Sequence, residues 1–152
     1  MGKAQEKHAE NADIAESRNM FEAEFNEFVS IPGNMTFHEH YKKIALREKC
    51  DSSSKFWWKT NLDANIFSCL KKKEYHPSKR IIITICVGFN LWYPEAERLL
   101  ASAGFCLGTN EVDFAYSKLL REYRNVGVRE CNKLLDSWGI DKKHHLGSFE
   151  RE

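Results

Sequence analysis

The longest apolar run in the chain is Ile81-Ile82-Ile83-Thr84-Ile85-Cys86-Val87-Gly88-Phe89. β-Branched residues of this kind suit a buried strand. A strand, however, needs a partner for its backbone N–H and C=O groups, and the neighbouring segments have helical spacing. Pro77-Ser78-Lys79-Arg80, just before the run, has the form of a helix start. The run is therefore expected to be a helix buried on most sides, in a compact all-α protein of several helices.

The flanking segments agree with that reading. Ile14, Phe21, Phe25 and Phe28 fall at helical spacing, in an acidic helix that ends before Pro32-Gly33. Residues 1 to about 12 are polar and expected to fray. Thr36, with Glu39 three residues on, forms a capping box for a helix carrying Phe37, Tyr41, Ile44 and Ala45. One of Ser52, Ser53 and Ser54 caps a short helix with Phe56, Trp57 and Trp58. Adjacent residues point about 100° apart on a helix, so one tryptophan is expected in the core and the other at the surface.

Asn61 tolerates a left-handed turn, and Asp63 caps a second short helix with Ile66, Phe67 and Leu70. Lys71, Lys72 and Lys73 finish that helix, where they suit its dipole. Pro94 and Gly104 bracket a further helix, and two more are expected over about 111–124 and 128–138. The resulting organisation is an acidic helical N-terminal extension (1–33), a helical domain (34–105), a helix pair packed on it (106–140) and a flexible tail (141–152).

Charge is distributed unevenly. The net +1 divides into −4 over residues 1–30, +6 over 31–90 and −1 over 91–152. A local basic region can meet a polyanion in an almost neutral chain, because screening limits the reach of the rest to about 8–10 Å. Five scattered cysteines with no CxxC pair argue for free, buried thiols and against a disulfide framework or a zinc ribbon. No apolar run approaches the ~20 residues that span a bilayer, and the first residues lack the apolar stretch of a signal peptide. A cytoplasmic protein without membrane contact is expected. His38-Glu39-His40 lacks the i, i+4 histidine pair of a zinc helix, and there is no G-x-S-x-G, P-loop or Gly-rich dinucleotide turn. The expectation is a non-catalytic protein with no cofactor and no metal.

In order and spacing, residues 36–105 resemble the Xre-type, lambda-repressor-like helix-turn-helix domain. "SSSKFWWKTNLDANIFSCLKK" resembles its bihelical unit, "PSKRIIITICVGFNL" its Pro-led following helix, and "PEAERLLASAGF" its closing helix. The resemblance implies that the second helix of the pair enters the major groove of DNA. It implies exposed leading positions at Asp63, Ala64, Asn65 and Ile66, an anchor at Phe67 and a matching serine at Ser68. Asn65 is the implied base reader, since its amide can bond N6 and N7 of adenine. Ser53 falls where the family braces a phosphate, and Lys55, Lys59, Lys71, Lys72, Lys79 and Arg80 are the implied phosphate partners. It also places Trp57 at the helix crossing, where the family has a small residue. The implied function is a DNA-binding transcriptional regulator, repressor or antitoxin-like, that pairs as a dimer. The alternative is a helical adaptor for a protein partner that has lost DNA reading, and RNA binding is a third option.

Overall fold

A computed structural model describes residues 2–29 and 35–148, with side chains for 13–26 and 35–148. Among them are eight α-helices, one 3₁₀ turn and no strand. The chain divides into two units, residues 1–33 and 34–152.

The first unit contains one helix, α1 (Gly2–Val29). It starts at Gly2, well before Ile14. Lys3 to Ala12 contain Ala, Gln, Glu and Lys and no Gly or Pro, so intrinsic propensity extends the helix. Ile14, Phe21 and Phe25 are exposed, and the last two rings stack with centroids 6.2 Å apart. The side chain of Phe28 lies outside the described residues.

The second unit is built around the apolar run, which is helical as expected. In chain order its helices are α2 (Phe37–Arg47), α3 (Ser53–Thr60), α4 (Ala64–Leu70), α5 (Lys79–Gly88), α6 (Tyr93–Ser102), α7 (Glu111–Glu122) and α8 (Val128–Ser137). Every residue from Ile81 to Phe89 is buried. The helix α5 packs against α3, α6, α7 and α8, while α2 packs on α6 and α3 on α4. A helix enclosed in this way carries no polar face, which explains why its sequence could pass for a strand.

The helix ends follow the chemistry of their caps. Thr36 accepts from the Glu39 amide while the Glu39 carboxylate accepts from the Thr36 amide, so the capping box is present. Asp63 caps α4 and Ser78 caps α5. Gly88 is required by packing: a Cβ there would lie 2.6 Å from the Lys59 carbonyl oxygen and 2.8 Å from the Thr60 methyl. The crossing of α3 and α5 therefore depends on the missing side chain.

The C-terminal residues depart from the expected flexible tail. Residues 141–148 are docked on the unit, with Leu146 and Gly147 buried. Lys142–His144 form the 3₁₀ turn. The Tyr116 hydroxyl donates to the His144 carbonyl at 2.7 Å. Asn132 clamps Leu146, donating to its carbonyl at 2.9 Å and accepting from its amide at 2.7 Å. The Arg80 guanidinium donates to the carbonyls of His145 (3.0 Å) and Gly147 (2.6 Å). This strap is polar in sequence because its backbone, more than its side chains, makes the contacts. Residues 149–152 of the expected tail lie outside the described residues.

The cysteines are free. Cys50, Cys86 and Cys131 are buried as expected, but Cys69 is half-buried and Cys106 exposed. No described helix is long and apolar enough to cross a membrane.

Candidate nucleic-acid interface

The bihelical stretch is held from inside by aromatic packing. Phe56 on α3 is fully buried and meets Phe67 of α4 with ring centroids 5.3 Å apart. Phe89 lies on its other side at 6.5 Å. Such tilted aromatic contacts add about 0.5–1.5 kcal/mol each beyond area burial. Both tryptophans point outward, with Trp57 40% and Trp58 78% exposed. The expected core tryptophan, and with it the expected place of Trp57 at the crossing, is thus corrected. Among three consecutive aromatics only one direction can face the core, and Phe56 shares it with Thr60, one turn on. Thr60 packs against Gly88 where α3 crosses α5, a different crossing from that of α3 with α4.

The turn is fixed by polar bonds. The Thr60 hydroxyl donates to the Phe56 carbonyl at 2.7 Å and accepts from the Leu62 amide at 3.1 Å. Asn61 takes the left-handed conformation (φ 56°, ψ 24°), as expected, and its amide donates to the Trp57 carbonyl. The Asp63 carboxylate accepts from the Ile66 amide at 3.0 Å and opens α4. The strap adds a brace that the sequence did not suggest. The Ser148 amide donates to the Asn61 carbonyl at 2.8 Å, and the Asp63 amide donates to the Ser148 hydroxyl at 2.9 Å. The two helices and their turn are thereby tied to the chain's far end.

The outer side of α4 is open. Ala64, Asn65, Ser68 and Lys71 are exposed and recur at helical spacing, followed by exposed Lys72 and Lys73. Phe67 and Leu70 anchor the opposite side in the core. The ammonium of Lys71 lies 4.4 Å from the Phe67 ring centroid. The His38 Nε2–H donates to the Lys71 carbonyl at 3.0 Å, closing the end of α4 against α2. Ser52 is the residue that caps α3, and Ser53 beside it is half-buried in the first turn. Lys55 is exposed and paired with Asp51 at 2.8 Å, while Lys59 is half-buried near the Phe89 ring.

Three of the expected contact residues are otherwise engaged. Ile66 is half-buried and packed on the core, so it is not an exposed leading position. Lys79 binds the buried Asp113 carboxylate at 3.1 and 3.3 Å. Burial alone would raise the Asp113 carboxyl, but the Gly108 amide and the Lys79 ammonium outweigh it and hold it below the ordinary value. Arg80 is held by the strap carbonyls. Desolvation explains both turns inward: a buried carboxylate and buried carbonyls need donors more than solvent does.

The His38-Glu39-His40 triplet is accounted for by structure. His38 bonds Lys71, Glu39 caps α2, and His40 is buried. Burial first, and then the cations Arg98, Arg47 and Lys43, push the His40 pKa down to about 4. Among the described residues no cluster of His, Cys, Asp and Glu could hold a metal. Of the residues that matter to this face, the sequence reading missed Gly88, His38 and Ser148. Gly88 carried a signal, as a lone glycine inside an apolar helix marks a close approach. Ser148 carried none. No family model matches the chain, and no curated protein or solved structure matches it either.

Proposed function

We propose that the chain is a non-catalytic, double-stranded-DNA-binding regulator of the helix-turn-helix kind, with α4 as its reading element. The observation that carries this reading is the two-sidedness of α4. Phe67 and Leu70 fix one side rigidly, while Ala64, Asn65 and Ser68 are exposed on the other; Lys71, whose ammonium lies over the Phe67 ring, and exposed Lys72 follow just past the end of the helix. A short, anchored helix with an amide in its first turn and cations just past its last residue, where the sequence had them finishing the helix, suits a major groove. Asn65 is the base reader in this proposal. Ser53, Lys55, Lys59, Lys71 and Lys72 are the backbone partners, and Ala64 allows close approach. Lys79 and Arg80 are left out because each already holds an internal acceptor.

The test is selection from a pool of randomised duplexes at ~50 mM salt, where phosphate contacts are strong. The reading expects enrichment of a defined sequence, and expects Asn65→Ala to lose about 1–3 kcal/mol of discrimination at an adenine position. No retained duplex at that salt overturns it. A second reading, an adaptor for a protein partner, draws on the exposed indoles of Trp57 and Trp58. Aromatics of this kind anchor protein interfaces. Retention of single-stranded RNA but not duplex DNA would favour the third option, and retention of neither would favour the adaptor.

A further inference from the structure

The geometry points to a self-complementary surface on α7 through which two copies of this chain pair. Phe114 is 67% exposed in the first half of that helix. Beside it is an apolar hollow of about 260 Å³, lined by Glu111, Phe114, Ala115, Lys118, Trp138 and Ile140. A large exposed ring next to a hollow that can take a ring is a knob and a hole on one surface. A two-fold axis turns such a surface onto itself, so each copy's knob enters the other's hole.

The charges select that occupant. Glu111 and Lys118 are seven residues apart and so lie on one stripe of α7, with Phe114 between them. Pairing α7 antiparallel with its copy, about a point near Phe114, sets each Glu111 opposite the other chain's Lys118. The same pairing brings both phenyl rings to the centre. Lys118 is bound to Glu122 at 2.7 Å within the helix, so its ammonium is already held along this stripe. The second copy adds Glu111 to that pair. A parallel pairing would put like charges together and oppose itself. Trp138 forms the wall of the hollow and is braced by Tyr123, with ring centroids 5.8 Å apart. The wall is thus set before association, which reduces the ordering cost of binding.

This surface is independent of the DNA-binding proposal, and its test needs no DNA. Sedimentation equilibrium of the full chain over a wide concentration range is expected to show a species of twice the 17.7 kDa chain mass. Phe114→Glu is expected to weaken it by at least ~30-fold, the scale of a central aromatic anchor. Because Phe114 is exposed, its replacement leaves the fold intact, which a thermal melt checks. Glu111→Lys and Lys118→Glu are each expected to weaken association, and the double exchange to restore it. A monomer at every concentration overturns the inference. So does a dimer indifferent to Phe114→Glu, or a double exchange no tighter than the single ones.

Discussion

Lys71 and Lys72 and, a few residues on, Lys79 and Arg80 belong to the same basic segment, and the fold uses them in opposite ways. The first pair is exposed at the end of α4. The second pair is turned inward, Lys79 to Asp113 and Arg80 to the carbonyls of His145 and Gly147. Residue type alone does not distinguish them. What distinguishes them is acceptors that arrive from 34 to 67 residues away. A count of cations therefore overstates a binding surface, since some of them satisfy buried oxygen atoms.

Removing an inward acceptor should have the largest effect. Asp113→Ala leaves the Lys79 ammonium, the Gly108 amide and the Asn110 side chain without their shared carboxylate. It is expected to cost about 2–3 kcal/mol, measured by urea denaturation, because an abandoned internal donor bears its desolvation cost. Lys79→Met should cost less, since Asp113 keeps its other donors.

Acidification tests the interior without mutation. The His40 pKa is pushed down to about 4 in the fold, so between pH ~6.5 and 4 the unfolded chain binds more protons. Stability should fall through that window by about 2–3 kcal/mol, and His40→Leu should flatten the fall. Asp113 is also depressed, so its contribution is present above the ordinary carboxylate value and is lost only as pH drops below ~4. The order of the two losses is the checkable point.

The outward pair should behave differently. Lys71→Ala with Lys72→Ala is expected to change stability by no more than about 0.5 kcal/mol. It should flatten the dependence of log K on log salt for duplex DNA by about 2, near one unit per phosphate contact. A large loss of stability in this double variant would show that the two pairs are not distinct.

Much of the fold was legible because it depends on local chemistry. The capping box at Thr36 and Glu39, the left-handed Asn61 and the Asp63 cap are written in residues three or four apart. The face of α3 was not. Choosing among Phe56, Trp57 and Trp58 requires knowing where α5 crosses, and only the pairing of Phe56 with Thr60 opposite Gly88 shows it. The strap was illegible for a related reason. Its bonds to Asn61, Asp63, Arg80 and Thr84 span 63 to 87 residues and engage backbone groups that every residue type carries. For the candidate interface, Asn65, Ser68, Lys71 and Lys72 are exposed where the sequence suggested, while Ile66, Lys79 and Arg80 needed the tertiary structure to be set aside.

If the outer side of α4 contacts DNA, as proposed, its backbone amides should report the contact. The most direct measurement is an amide chemical-shift titration of the ¹⁵N-labelled full chain with a selected duplex. Shifts should concentrate at Asn65, Ser68, Lys71 and Lys72, with α7 and α8 quiet around Phe114 and Trp138. Shifts confined to Trp57 and Trp58, or absent throughout at ~50 mM salt, would contradict it.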